Sequence, residues 1–385
     1  MRSVMKGELD VTRGFIEEME FCLDCQACET ACPAGVKYGI LVESTRDYIS
    51  RGRHDRWSTR ILKKILLRDL FLRRGRLEFV SRLLRFYQRS GLDTFIRRTG
   101  LLRLFSKRLH EIQFLAPRVS KLPSSKILGN SNESQNNKKY KVGFLTGCIM
   151  DVAFANINVD TVELLLYHDC EVIIPPTQVC CGSLLAHNGD MESARDLARR
   201  NVEIFADLHL DALVMNSAGC GAFMKQYGDV LKDDQEYAKP ASELASKVKD
   251  ISEFLLQIGL KLGDGSAGPF ISKRVTYHDA CHLVHSQKVS EQPRTLIKSV
   301  PTAEFVELPE STWCCGSAGI YNITHYDTAT QLLDRKIQNI RKVRPDVIVT
   351  GNPGCLVQLQ YGLEKEGMNI ELLHLATFLR RACCA

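Results

Sequence analysis

The chain lacks the sequence features of a membrane-spanning or secreted protein. Its apolar stretches fall well short of the roughly 18 residues that a helix needs to cross a bilayer, and residues 1–11 contain no apolar core like that of a signal peptide. We therefore expect a cytoplasmic protein. In that reducing compartment the 15 cysteines are better explained as metal ligands than as disulfides.

Motifs for nucleotide binding and for a serine nucleophile are absent as well. No Gly-x-Gly-x-x-Gly follows a predicted strand, and the sequence contains neither a P-loop nor a nucleophile elbow. We therefore do not expect the chain to bind a nucleotide itself. Its 385 residues, 44% of them hydrophobic, provide material for two or three globular domains.

The most informative motif is the run C-L-D-C-Q-A-C-E-T-A-C-P at residues 22–33. Its spacing, Cys-x2-Cys-x2-Cys-x3-Cys-Pro, is the bacterial ferredoxin pattern and predicts a 4Fe-4S cluster. The predicted ligands are Cys22, Cys25, Cys28 and Cys32. A zinc knuckle and a disulfide knot are the alternatives, but zinc sites usually consist of paired Cys-x2-Cys units that lie farther apart.

The single run leaves the role of Cys32 open. In two-cluster ferredoxins the fourth Cys of each run ligates the other cluster. Three explanations fit one run: Cys32 closes its own cluster, a second run is on another polypeptide, or the sequence begins downstream of a first run. We predict short helices on either side of the run, at residues 9–21 and 36–50.

Positive charge is concentrated in one segment of the chain. Residues 51–121 contain 20 Lys and Arg and 5 Asp and Glu, whereas the net charge of the whole chain is +6. Apolar residues recur there at helical spacing, as at Phe79, Leu83 and Leu84, which predicts three or four basic amphipathic helices. Such helices either form a platform packed on neighbouring domains or contact a membrane surface or membrane subunit.

Beyond a Ser- and Asn-rich stretch at residues 123–139, which predicts a flexible linker, the chain repeats itself. Its cysteines recur at offsets of 133 to 135 residues, which indicates two copies of one domain. The first set is Cys148, Cys180, Cys181 and Cys220, and the second is Cys281, Cys314, Cys315 and Cys355; each adjacent pair precedes a Gly.

Short β-rich runs precede the cysteines in both copies. The predicted strands are residues 142–145, 171–174 and 212–215, then 274–277, 304–308 and 347–349. Helical patterns separate the strands, and this alternation predicts a parallel sheet covered by helices. Loops at the carboxyl ends of such strands converge on one crevice, so the four thiolates of each copy could meet there and bind an iron–sulfur cluster or a zinc ion.

The remaining cysteines and nearby polar residues fit this repeat less well. Cys170 corresponds to Ala303 and is predicted to be a core thiol, and Cys383 and Cys384 are predicted to be incidental. His278, Asp279 and His282 flank Cys281, where they could donate hydrogen bonds to sulfur or move a proton. A structural role for these histidines is an equally good interpretation.

The sequence is therefore predicted to fold as a multidomain α+β and α/β protein. It would comprise a small helical ferredoxin-like domain at residues 1–55, a basic helical region at 56–122, the linker at 123–139, and two α/β cysteine-rich domains at 140–262 and 263–385.

These motifs resemble the iron–sulfur subunit of glycolate oxidase and the related lactate-utilisation iron–sulfur proteins, and more distantly heterodisulfide reductase B-type subunits. The motifs are C-L-D-C-Q-A-C-E-T-A-C-P-A-G-V-K-Y at 22–38, T-G-C at 146–148, Y-H-D-A-C-H at 277–282 and the two C-C-G triplets. Members of the glycolate oxidase kind have two ferredoxin runs, and residues 9–14 resemble the piece that follows the first. This chain is therefore expected to start just past a missing run.

The resemblance implies an iron–sulfur electron-transfer subunit. It would take electrons from a flavoprotein (FAD) that oxidises glycolate, lactate or a similar 2-hydroxy acid, and pass them toward a quinone or another membrane acceptor. A peripheral position on the inner membrane face would follow, and no nucleic-acid partner is expected.

Two alternatives remain, a heterodisulfide or thiol reductase and a zinc-stabilised scaffold. Reductases of the B type end each repeat with Cys-x2-Cys, whereas Phe223 and Gln358 stand at those places here.

Overall fold

The computed structural model describes residues 1–52, 64–132, 138–263 and 270–383. Four short helices surround the cysteine run: α1 (Arg2–Met5), α2 (Arg13–Phe21), α3 (Ala27–Ala31) and α4 (Tyr38–Arg51). The Thr12 hydroxyl caps α2 by accepting the N–H of Phe15 at 3.2 Å, and α2 ends where Cys22 adopts an extended backbone. Helices α2 and α4 pack against each other.

The described part of the basic segment is helical, as its spacing predicts. It contains a π-helical turn (Lys64–Asp69), α5 (Arg74–Arg89), α6 (Leu92–Thr99), α7 (Lys107–Ile112) and 3-10 turns at Leu101–Leu104 and Gln113–Leu115. Helix α5 buries Leu77, whereas Phe79, Leu83 and Phe86 are exposed. Residues 53–63 of this segment lie outside the described residues. Within the described ranges, no helix has the length and apolar content needed to cross a membrane.

Part of the predicted linker at residues 123–139 has regular structure. Helix α8 (Ser124–Leu128) and strand β1 (Ser131–Asn132) lie within it, and residues 133–137 lie outside the described residues. The buried Ser124 hydroxyl donates to the Asp151 carboxylate at 2.7 Å, which holds α8 against the first repeat. A serine of this Ser-rich segment thus forms a tertiary hydrogen bond.

The first repeat is a twisted sheet with the strand order β1-β3-β2-β4-β5, in which only β1 is antiparallel to its neighbour. Its other strands are β2 (Tyr140–Phe144), β3 (Cys170–Ile173), β4 (Ala212–Met215) and β5 (Val248–Asp250). Its helices are α9 (Ile149–Ala153), α10 (Ala155–Tyr167), α11 (Ser183–His187), α12 (Met191–Phe205), α13 (Ala218–Lys225), α14 (Tyr227–Val230), α15 (Ala238–Lys247) and α16 (Ile251–Ile258).

The second repeat has the parallel strand order β7-β6-β8-β9, which matches the order β3-β2-β4-β5 of the first repeat without its edge strand β1. Its strands are β6 (Lys273–His278), β7 (Ala303–Phe305), β8 (Val347–Thr350) and β9 (Glu371–His374). Its helices are α17 (Glu291–Lys298), α18 (Tyr321–Thr324), α19 (Tyr326–Val343), α20 (Pro353–Lys365) and α21 (Leu375–Cys383), with a π-helical turn at His282–Ser286. The matching strand orders confirm the predicted repeat of two α/β units with parallel sheets.

The two repeats share one hydrophobic core. Buried residues of both sheets belong to the same apolar cluster, and α21 of the second repeat packs against α10 of the first. The rings of Phe270 and Phe378 stack there with their centroids 4.4 Å apart. The shared core fixes the two sheets relative to each other.

Candidate metal centres

The first repeat brings its four predicted cysteines together at the carboxyl ends of its strands. Cys148 begins α9 after β2, Cys180 and Cys181 follow β3, and Cys220 lies in α13 after β4. The Sγ atoms of Cys148 and Cys180 are 3.6 Å apart, and Cys181 lies within hydrogen-bonding reach of Cys180 and Cys220. Contact with Cys180 and burial raise the pKa of Cys148 well above its usual value, because a buried thiolate beside another thiolate is unfavourable.

The glycine after each cysteine pair allows the chain to turn there. Gly182 and Gly316 have φ values of +93° and +90°, in the region that side chains other than glycine rarely adopt. A Cβ on Gly316 would also collide with the Ala329 carbonyl. Each turn brings a backbone N–H to sulfur: Gly182 donates to Cys180 at 3.5 Å and Gly316 to Cys314 at 3.4 Å. The C-C-G triplet is thus a turn that points two adjacent sulfurs into one site.

The second repeat gathers its predicted cysteines in the same way. Cys281 precedes the π-helical turn, Cys314 and Cys315 follow β7, and Cys355 lies in α20. Three pairs of these side chains lie within hydrogen-bonding distance: Cys281 and Cys314, Cys314 and Cys315, and Cys315 and Cys355. Both repeats therefore present four linked thiols, a soft donor set that fits an iron–sulfur cluster or a zinc ion.

The residues around the two sets differ in charge. Lys336 of α19 is fully buried, and its Nζ donates to the carbonyls of Glu310 and Ser311 at 2.5 and 3.1 Å. Burial lowers the pKa of Lys336 to about 8, although the negative charge of Cys315 acts to raise it. In α12 of the first repeat the matching residue is Asn201, which donates to the Cys180 carbonyl at 3.0 Å. Only the second set has a buried lysine at this position.

In the ferredoxin-like run, residues 22–33, the thiols of Cys22, Cys25 and Cys28 lie close enough to affect one another's charge. Asp24 and Gln26 adopt left-handed backbone conformations, which curl the run around Cys25. Burial raises the pKa of Cys25 to about 11, and the charges of Cys281, Cys22 and Cys28 add to this effect. Backbone N–H groups at Val36, Ala34 and Gly35 lower the pKa of Cys32.

The run docks on the second repeat through hydrogen bonds. The His282 Nε2 lies 2.8 Å from the Asp24 carbonyl, and the Thr30 hydroxyl lies 2.9 Å from Nδ1 of His285. Tyr321 donates to the Phe21 carbonyl at 3.0 Å. These contacts explain why Cys25 lies within the electrostatic field of Cys281.

A buried polar group that the sequence did not reveal joins the run to the first repeat. The Nδ1 of His187 lies 3.0 Å from Asp24 Oδ2 and 2.5 Å from Glu43 Oε1, and its ring is 4.8 Å from that of His282. Burial opposes protonation of His187, but the Glu43 and Asp24 carboxylates raise its pKa to about 10. These residues come from separate segments without a common spacing, so no sequence signal could have identified them.

Asp279, which the sequence also singled out, has a structural partner. Its carboxylate accepts two hydrogen bonds from the Arg294 guanidinium, at 2.9 and 2.6 Å. Phe223 and Gln358 are both buried, and the Gln358 amide oxygen accepts from Asn322 at 3.0 Å. Cys170 lies in β3 within the shared core.

A cleft opens beside the first cysteine set. Its volume is about 790 Å³, in the range of small-molecule sites. Cys148 and Cys180 line it, together with Leu72 and Leu77 of the basic helical segment. Arg74, another lining residue, is paired with Asp151 at 2.8 Å, so part of the positive charge in the cleft is neutralised.

Comparison with known proteins identifies the repeats and the helical segment. Residues 142–225 and 275–360 match the cysteine-rich domain family CCG, and residues 58–116 match the linker region of the glycolate oxidase iron–sulfur subunit. A solved structure of a hypothetical protein from Helicobacter pylori aligns with 91% of this chain and 77% of its own at a TM-score of 0.49 and 12% identity, a likeness too weak to support an argument.

Several curated proteins are similar over most of the chain. The probable glycolate oxidase iron–sulfur subunit of Bacillus subtilis is 37% identical over 99% of this chain and 86% of its own length. The glycolate oxidase iron–sulfur subunit of Escherichia coli is 29% identical over 93% and 81%, and lactate utilization protein A of Shouchella clausii is 32% identical over 62% and 98%. The chain therefore belongs to the family of glycolate oxidase iron–sulfur subunits.

Proposed function

We propose that this chain relays electrons from a flavoprotein partner that oxidises a small 2-hydroxy acid toward a quinone or another membrane acceptor. The observation that carries the proposal is the close succession of cysteine groups. The run at Cys22, Cys25 and Cys28 lies against the second repeat, and the His187–His282 contact continues toward the first. Iron–sulfur centres in these positions would form a continuous path for single electrons.

The ligand sets follow from the geometry of the thiols. Cys22, Cys25 and Cys28 would hold one 4Fe-4S cluster, and the four linked cysteines of each repeat would hold a further iron–sulfur cluster or zinc ion. Cys32 would either complete the 4Fe-4S cluster or, as in two-cluster ferredoxins, serve a cluster other than that of its neighbours.

The chemistry of the hydroxy acid would take place on the partner. Oxidation of a 2-hydroxy acid to a 2-oxo acid releases two electrons and two protons, which a flavin accepts together and can pass on singly. The chain would carry these two electrons one at a time. A quinone that accepts both electrons and two protons becomes a quinol.

The helical segment supports an acceptor at a membrane surface. Phe86 and Phe105 are 70% and 77% exposed, and Leu83 and Phe95 of the same segment are also exposed. Exposed arginines such as Arg82 accompany these side chains. An apolar face flanked by positive charge fits the headgroup region of an anionic bilayer.

The test is the Cys25→Ser variant, purified anaerobically with the flavoprotein partner. We expect loss of 2-hydroxy acid-dependent quinone reduction, with the partner still reducing a dye that accepts electrons directly from flavin. The control is Cys170→Ala, which removes a core thiol outside the proposed ligand sets. Unchanged quinone reduction in Cys25→Ser would contradict the relay.

Analysis of iron and acid-labile sulfide separates this proposal from a zinc scaffold. We expect both elements in the anaerobically purified chain. Zinc without labile sulfide would contradict the electron-transfer role.

A further inference from the structure

His278 is the last residue of β6 and points into the second cysteine set. One of its ring nitrogens and the Sγ atoms of Cys315 and Cys355 all lie within 4.8 Å of one another. The side chain is fully buried. The three potential donor atoms therefore converge on one enclosed point.

The imidazole of His278 has no hydrogen-bond partner among the described residues. Neither Nδ1 nor Nε2 forms a hydrogen bond of good geometry. The Ser311 carbonyl approaches the ring and raises its pKa, but it already accepts the Lys336 ammonium at 3.1 Å. Burying a polar group without a partner costs free energy. A ligand that binds to the ring would remove this cost.

A second buried histidine on the same sheet provides a comparison. Thr350 of β8 pairs with His278 on one side and with His374 on the other, so the two imidazoles share a row of the sheet. The Nδ1 of His374 accepts the N–H of Ala376 at 3.1 Å. His374 thus has a structural partner, whereas His278 lies beside thiols.

The first repeat has no equivalent donor. By the offset of the repeat, Leu145 stands where the second repeat has His278, and it belongs to the apolar core around Cys180 and Cys181. The two cysteine sets thus differ at this position, where only the second has an imidazole.

We propose that His278 ligates, through a ring nitrogen, the metal centre held by Cys315 and Cys355, so that the two repeats hold chemically different centres. This inference rests on the proposed metal centre of the second repeat. A neutral imidazole adds a donor without adding negative charge, and in iron–sulfur proteins histidine ligation raises the reduction potential.

The test uses the full chain, expressed anaerobically with histidine labelled with nitrogen-15. If the iron content falls in Cys315→Ser relative to the wild type, the second repeat holds iron, and pulsed EPR of the reduced protein should show a strongly coupled nitrogen. If the zinc content falls instead, zinc-edge X-ray absorption should show a nitrogen scatterer at about 2.0 Å. The nitrogen signal should disappear in His278→Gln and persist in the matched control His374→Gln.

A second variant keeps the test valid if His278→Gln folds poorly. His278→Cys replaces one ligand type with another and should restore the metal content but not the nitrogen signal. A centre that contains metal in the wild type without a coupled nitrogen, or a signal that persists in His278→Gln, would overturn the role of His278. If the wild-type repeats contain no metal at all, the proposed centre itself fails, and the two failures are therefore distinguishable.

Discussion

In each C-C-G triplet the glycine has no side chain, and this permits the turn that orients the two cysteine sulfurs. Gly182 and Gly316 share a left-handed conformation, and their N–H groups bond to the sulfurs two residues before them. The sequence predicted the cysteines through their repetition. It did not predict the steric reason for the glycine, because the Ala329 carbonyl approaches Gly316 only in the folded chain.

We expect Gly316→Ala to destabilise the second repeat by at least about 2 kcal/mol, since left-handed strain and the collision with a backbone carbonyl add together. Gly367→Ala is the matched control, because Gly367 also has a positive φ of +62° but a Cβ there meets no atom within 4 Å. The control should lose about 1 kcal/mol. Urea unfolding of both variants measures the difference, and equal losses would contradict the steric explanation.

Lys336 is expected to affect the reduction potential of the second-repeat centre. Its buried ammonium lies within the field of Cys315, Cys314 and Cys355, and a nearby positive charge favours the reduced state of an iron–sulfur centre. We expect Lys336→Met to lower the reduction potential of the second-repeat centre by tens of millivolts. Redox titration monitored by EPR measures this shift. Lys342→Met, an exposed change on the same helix, should leave the potential unchanged.

Among the elements, the sequence predicted the strands that precede the cysteines more accurately than the edges of the sheets. Strands β4 and β8 lie where apolar runs predict them, whereas β1, β5 and β9 were not predicted. Strand β5 has only three residues, Val248–Asp250. It pairs with β4, a strand distant in sequence, and local periodicity contains no information about such pairing.

The junction between β9 and α21 gives a pH-dependent prediction. Burial lowers the pKa of His374 from 6.5 to about 4, so the folded state favours the neutral ring that accepts the Ala376 N–H. This stability is complete above pH 6.5 and decreases as the pH falls toward 4, by up to about 3 kcal/mol. His374→Asn keeps an acceptor without a titrating ring and should flatten that part of the profile, measured by urea unfolding between pH 7 and about pH 4. An unchanged slope would contradict this assignment.

At the scale of the whole molecule, the two cysteine sets were predictable because the chain repeats itself. The docking of the ferredoxin-like run was not, because it depends on Asp24, Glu43 and His187, which meet only in the folded protein.

The exposed apolar face of α5 to α7 predicts binding to vesicles that contain phosphatidylglycerol. The double variant Phe86→Ser and Phe105→Ser should weaken cosedimentation several-fold, because it removes the most exposed aromatic area. Ile271→Ser, at an exposed apolar residue of the second repeat, is the control. High salt should also weaken binding. Equal sedimentation of all variants would show that this face does not contact lipid.

The packing of α21 on α10 also determines when the protein can fold during synthesis. Arg380 pairs with Glu163 at 2.8 Å, and Phe378 completes the core shared with the first repeat. Domains usually fold in order as they leave the ribosome, but the first sheet here lacks part of its core until α21 has been translated. The first repeat must therefore wait for α21 before it can complete its folding, and a chain cut short before Leu375 would lose the stability of both repeats.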